Sequence, residues 1–390
     1  MLGWEFPPIL HGGLGVACEG LGRALSKKAR LTFILPKGAS TSLNENLRLI
    51  GLNQADHSGE DSGKMEAFSV VEHVPSDLRP YLDAETFSID PTDLYGPDLG
   101  AKVIAFAQKV TQASRHHDFD IIHAHDWMTA LAGLEVRKQT GKPLVFHTHS
   151  LTYDRAGPGE RGWIYEIEKN ILKSADLVIA VSHYCRKICL DHYEAPPEKV
   201  VVVHNGASPV RSFRSSKPFP EKLVVFLGRV TAQKGPGHFL KIAQKVLSSE
   251  SNVRFAVAGT GEQLHPLMAG AVRLGIQKKF HFTGFLNRKK IHRLLAMADA
   301  YCMPSVSEPF GLSALEAAQF GVPAVLSKQS GVAEILPSAR TADSWDTDAM
   351  AAHLIEILSK KGDLRPTVVR TWEEAAAETL VCYQGLLSKR

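Results

Sequence analysis

Glu308 and Glu316 bracket the segment Pro309-Phe310-Gly311-Leu312, just after an apolar run, Ala300–Met303, that reads as a strand. Pro309 and Gly311 keep a helix from starting early, so the helix is expected to begin near Leu312 with Glu316 in its opening turns. Glu308 then sits on a loop at the carboxyl end of a strand, where open α/β sheets bind ligands. The Phe310, Gly311 and Leu312 amides crown the helix N-terminus and can hold a phosphate. A carboxylate such as Glu316 can accept from both hydroxyls of a ribose. A capping Glu beside a surface Glu is the plainer alternative.

Cations follow another strand end. Gly228-Arg229 and Lys234-Gly235 come after the run at 223–227. Arg229 offers a planar fork of donors and Lys234 a mobile point charge, a pair that suits a pyrophosphate. A solvated basic loop fits the spacing as well. His11-Gly12-Gly13-Leu14-Gly15 lets backbone come close to a ligand at a helix start, though a turn needed only for tight packing would look the same. It lacks both the Walker Lys-Ser/Thr ending and the third glycine of a dinucleotide fingerprint.

His123-Ala124-His125-Asp126-Trp127 and His147-Thr148-His149 place four histidines and an aspartate near two strand ends. Alternation puts His123 and His125 on one face. No carboxylate-plus-His signature supports a metal there, so none is assigned. His125 is the best placed to meet a sugar hydroxyl. Gly259, in Gly259-Thr260-Gly261, suits close backbone approach, and Leu286, in Gly284-Phe285-Leu286, could flank a nucleobase. Asp118-Phe119-Asp120 leads straight into a strand and reads as a solvated loop.

The elements that position these residues alternate as βαβ units. Strands are expected at 31–35, 120–123, 144–147, 177–181 and 200–203, then at 223–227, 254–258, 280–282, 300–303 and 323–326. Two Rossmann-like domains follow, 1–208 and 218–370, with a helix at 371–390 returning to the first. Residues 37–100 read as an irregular insertion, with one candidate strand at 67–71. A chain of 390 residues with a formal net charge of +4 can fill two cores, and its diffuse charge excludes a nucleic-acid binder. Five scattered cysteines fit reduced thiols in a cytoplasmic protein. No run has the length of a membrane span, while contact with a membrane surface stays open.

Together these motifs resemble glycosyltransferase family 4, with some likeness to glycogen synthases. Glu308 to Glu316 carry the family's Glu-x7-Glu element. Trp4 to Pro8, Gly12 to Gly15, His123 to Trp127, His204-Asn205-Gly206, Gly228-Arg229 with Lys234-Gly235, and Ala258 to Gly261 supply the rest. The resemblance implies a GT-B fold, retention of anomeric configuration, no required metal, and no cofactor beyond the donor. The donor is a nucleoside-diphosphate sugar, UDP- first, with ADP- or GDP- as alternatives. The acceptor is a hydroxyl of a glycan, a lipid-linked sugar or a small molecule. In this likeness Arg229 and Lys234 hold the diphosphate, Glu316 the ribose, and Glu308 and His125 the donor sugar, while Gly13 approaches from the first domain. Three departures stand out. Met1 falls where the family's first strand should be ending. Leu10 replaces the Lys of glycogen synthases, which counts against a true α-glucan synthase. Ser208 stands where an acidic residue is common. A glycogen- or α-glucan-synthase-like glucosyltransferase, a nucleotide-sugar epimerase and a non-catalytic nucleotide-sugar-binding protein are the competing readings.

Overall fold

The computed structural model describes residues 1–8, 12–38, 40–52, 98–210, 215–360 and 369–388. Among them the strands are β1 (Leu31–Leu35), β2 (Thr41–Asn44), β3 (Leu47–Gly51), β4 (Ile122–His125), β5 (Leu144–Thr148), β6 (Leu177–Ala180), β7 (Val200–Val202), β8 (Lys222–Leu227), β9 (Val253–Ala258), β10 (Phe280–Gly284), β11 (Ala300–Met303), β12 (Ala324–Ser327) and β13 (Arg340–Ala342). The helices are α1 (Gly13–Leu25), α2 (Leu99–Ser114), α3 (Ala130–Thr140), α4 (Thr152–Ala156), α5 (Trp163–Ser174), α6 (His183–Tyr193), α7 (Pro236–Ser249), α8 (Leu264–Arg273), α9 (Arg288–Met297), α10 (Leu312–Gln319), α11 (Thr347–Ser359) and α12 (Trp372–Leu387).

The second sheet runs β10-β9-β8-β11-β12-β13, all parallel. This is the doubly wound order, and its direction of winding reverses between β8 and β11. Strands such as Leu223–Phe226 and Val325–Leu326 are buried throughout because helices cover both faces.

In the first domain Leu2 bridges in parallel to both Ile34 of β1 and Ala124 of β4. The Leu2 N–H donates to His123 O at 2.7 Å, and the His125 N–H donates to Leu2 O at 3.1 Å. Residues 1–3 thus take the central strand position and join β2-β3-β1 to β4-β5-β6-β7 as one sheet. That sheet reverses its winding between residues 1–3 and β4. The chain then carries Gly12, Gly13 and α1 away from the central position, and Asp126 away from β4.

Within 37–100, read from sequence as irregular, β2 and β3 extend the sheet, and α2 begins at Leu99. Leu47 and Leu49 are buried and Arg48 is exposed, the period of a half-buried strand. An Asn44 side-chain carbonyl accepting from the Asn46 N–H at 2.9 Å turns the chain between them. The candidate strand at 67–71 lies outside the described residues. The strand expected at 120–123 is observed two residues later, because both histidines are part of it. The last helix packs on α1: Gly20 lies against the Trp372 indole, where any β-carbon would stand 2.2 Å from the ring.

Candidate active site

Loops after β8 and β11, the two sides of the second domain's switch point, lock together. The Val306 N–H donates to Gln233 O at 2.8 Å, and Gln233 Nε2 donates to Ser307 O at 3.1 Å. Gly235, with φ +67°, lets the backbone pass so close to Pro304 O that a β-carbon would stand 2.1 Å from it. This brings Lys234 and Glu308 together: the ammonium donates to Glu308 Oε2, and Ser305 Oγ adds a hydrogen bond at 3.3 Å. Glu308 is buried and its backbone pairs with Gln329 and Gly331, so the carboxylate is fixed from several sides. Arg229 is half-buried on the same strand end.

The Gly228, Gly259 and Gly284 turns cap β8, β9 and β10 side by side. The Gly228 N–H donates to Ala258 O at 3.0 Å and the Gly259 N–H to Gly284 O at 2.9 Å. Leu286, just beyond, is half-buried against the core, and its neighbour Phe285 is exposed.

Gly311 is the N-cap of α10, in the left-handed region at φ +111°, with no side chain capping the helix and no acidic residue in its first turn. Phe310 is buried, and its carbonyl accepts from the Val332 N–H at 2.7 Å. Leu312, Ser313 and Glu316 form the half-open face of α10. Burial pushes the Glu316 carboxyl up, and the charge of Arg288 opposes the shift.

The first domain supplies a second helix start of the same kind. Gly12 caps α1 with no side-chain bond and no acid in the first turn. A β-carbon on Gly12 would meet nothing within 4 Å, and one on Gly13 would meet only the Leu312 Cδ1 methyl at 3.8 Å. Packing therefore does not demand these glycines, and the two uncapped helix starts approach each other from opposite domains. His11 lies outside the described residues.

The four histidines, three on β4 and β5 and His149 one residue beyond β5, stack side by side. Ring centroids are 4.4 Å apart for His123 and His125, and 4.3 Å for His147 and His149. His125 is fully buried; its Nδ1 shares a hydrogen with His149 Nε2 at 3.0 Å. Burial holds the His123, His125 and His147 imidazoles well below their usual pKa and brings His149 down to about 3. They are neutral at physiological pH, so His125 can orient a hydroxyl but not supply a positive charge. The half-buried member is His149, one shell nearer the opening. His123 is bonded to Tyr383 of α12.

Contacts across the domain boundary involve residues that no motif indicates. Ser307, next to Glu308, donates its hydroxyl to Asp154 Oδ1 at 2.5 Å and bonds the Tyr184 hydroxyl at 2.9 Å. The Ser182 hydroxyl donates to Pro309 O at 2.6 Å. Glu334 accepts from the His183 and Tyr184 amides at 2.9 and 2.8 Å and from His204 Nε2 at 2.7 Å. Burial raises the Glu334 carboxyl, but the His204 ring and the two amides outweigh it and hold it below the usual range.

Asp154 makes the boundary sensitive to pH. Burial pushes its carboxyl up to about 6, against the pull of Ser307, the Leu151 N–H and the Arg155 charge, with Glu168 adding to the rise. Between its ordinary value of 3.8 and about 6, the folded chain holds a proton that the unfolded chain has released. This group's contribution to stability is therefore greatest below that window and is lost as pH rises through it, by about 3 kcal/mol. Asp154→Asn should flatten that part of the pH dependence, read as the difference in unfolding free energy from wild type between pH 4 and 7. Equal slopes would remove Asp154 as the proton's holder. Asp126, pushed up to about 7 by burial, titrates in both proteins and cancels in the comparison.

Two doubly wound domains with facing carboxyl ends, each carrying an uncapped helix start at its switch point, define a GT-B glycosyltransferase. The chain belongs to glycosyltransferase family 4, whose model matches residues 11–211; residues 209–377 match glycosyl transferases group 1. An uncharacterized glycosyltransferase of Methanocaldococcus jannaschii is 26% identical, covering 98% of this chain and 97% of its own. Among solved structures, sucrose-phosphate synthase from Thermosynechococcus elongatus superposes with a TM-score of 0.75 at 18% identity, covering 97% of this chain and 94% of that one. The catalytic domain of starch synthase IV from Arabidopsis thaliana, bound to ADP and acarbose, gives 0.72 at 16% identity, covering 99% and 98%.

Proposed function

We propose that the chain transfers a hexose, with retention, from a nucleoside-diphosphate sugar to a hydroxyl acceptor. The carrying observation is the approach of two uncapped helix N-termini, α1 at Gly13 and α10 at Leu312, beside Arg229 and the Lys234–Glu308 pair. Two positive helix ends and two cationic side chains suit a diphosphate, and ADP in the starch synthase neighbour supports that class of ligand. Glu316 accepts from the ribose hydroxyls, Gly259 and Leu286 flank the base, and Glu308 and the His125–His149 pair orient the sugar. The C1–phosphate bond breaks as the acceptor oxygen attacks C1 from the same face, and a leaving phosphate oxygen takes the acceptor's proton. Lys234, Arg229 and the α10 amides stabilise the growing phosphate charge, and the facing domains exclude water.

The test is thermal shift and nucleoside-diphosphate release with UDP-, ADP- and GDP-sugars, repeated with Glu316→Ala. One donor should shift the wild type and be slowly hydrolysed. Loss of hydrogen bonds to a charged acceptor should weaken donor binding about 10- to 100-fold in the variant. A folded wild type that answers no donor, or unchanged affinity in the variant, would count against the reading.

A further inference from the structure

At the domain boundary, His183 at the start of α6, His204 after β7, and Glu334 of the second domain bring three potential ligand atoms within 4.8 Å of one another. We propose that they form a site for a divalent transition-metal ion of the zinc class, complete only while the two domains are in contact. Two imidazoles and a carboxylate are a donor set for such ions. Ligand bonds of about 2.0–2.2 Å around a tetrahedral ion separate the ligand atoms by roughly 3.3–3.5 Å. His204 Nε2 and Glu334 Oε2 stand 2.7 Å apart and share a hydrogen, and all three ligand atoms lie within 4.8 Å of one another. An ion can take that hydrogen's place once these two atoms part by roughly 0.6–0.8 Å and the proton leaves to solvent. The His183 and His204 ring centroids are 5.7 Å apart, and the exposed His183 ring can turn inward.

The Glu334 carboxylate is already aimed. Its oxygens accept from the His183 and Tyr184 backbone amides, an outer support of the kind that fixes a metal-bound carboxylate. His183 and His204 belong to the first domain and Glu334 to the second, so a bound ion pins one domain to the other. An enzyme that admits donor and releases product by opening this boundary is arrested by the ion. That consequence rests on the function proposed above; binding itself does not.

The experiment is zinc titration of the full chain against a chromophoric chelator, for wild type, His183→Ala and Glu334→Gln, followed by turnover with and without zinc. His183→Ala leaves the backbone amide that Glu334 uses, so the variant should fold and work without metal. Wild type should take up one ion at least about tenfold more tightly than either variant. Zinc should also slow wild-type turnover reversibly and spare His183→Ala. Absence of uptake by wild type overturns the site. So does equal uptake by His183→Ala, which would place the ion elsewhere, for instance at the buried His123, His125 and His147 group. Uptake as expected with both proteins equally inhibited overturns the arrest and keeps the site.

Discussion

Lys234→Ala should lower turnover by about 100- to 1,000-fold, the loss seen when a preorganised donor to developing negative charge is removed. On the proposed function donor affinity should fall by much less, because the charge on a leaving phosphate grows only as the glycosidic bond breaks. The same change should cost about 3 kcal/mol of stability, since cutting one partner from a buried ion pair leaves the other charge uncompensated. The Glu308 side chain is 7% exposed and that of Lys234 18%, so water reaches the remaining carboxylate poorly. The Ser305 hydroxyl at 3.3 Å is a weak substitute. The two effects separate in the double variant Lys234→Ala/Glu308→Gln, which has no buried charge left over. It should recover most of the stability and none of the turnover, measured by denaturant unfolding and single-turnover transfer. A single variant that turns over within tenfold of wild type would remove Lys234 from the leaving-group site. A double variant no more stable than the single one would show that the pair is not coupled.

Strands covered on both faces were legible because their apolar runs are nearly unbroken. β2 was not, since its four residues are largely exposed at the sheet edge and carry no apolar face. β13 is a three-residue edge strand with an exposed arginine, again without a pattern to read. The displaced boundary of β4 has another cause. His123 and His125 are polar by type, yet they are buried by stacking on each other and on neighbouring rings, a tertiary solution that a hydropathy pattern cannot anticipate. At the site, sequence placed Lys234 and Glu308 each at a strand end. Their contact depends on β8 lying beside β11, and strand order is not written in local spacing. Asp154, Ser307 and Glu334 had no signal at all. Their partners across the boundary lie far away in sequence and in the other domain, so these roles exist only once both sheets have formed.

The glycines divide into two kinds, and that division predicts opposite outcomes for one added methyl group. At Gly259 φ is +143°, and a β-carbon would stand 1.9 Å from Gly228 O and 2.9 Å from its carbonyl carbon. Both obstacles are backbone. Gly228 in turn is tied to Ala258 O, and Arg229 follows it, so the turn cannot yield without moving the arginine. Strain at this backbone angle and overpacking add, and Gly259→Ala should cost about 3 to 5 kcal/mol. Donor binding should weaken with it, because the crevice wall itself is displaced. Gly13→Ala is the reverse case. The position opens α1, its added methyl meets only Leu312 at 3.8 Å, and alanine favours a helix, so stability should hold or rise by about 0.5–1 kcal/mol. Yet that methyl points into the gap between the two helix starts, where on the proposed function a diphosphate comes within hydrogen-bond distance of backbone. Turnover should fall at least tenfold in a protein that unfolds no more easily than wild type, read from unfolding midpoints and initial rates on the same preparations. A fully active Gly13→Ala would mean that the α1 turn does not line the donor path. The anion site would then have to be built from α10, Arg229 and Lys234 alone.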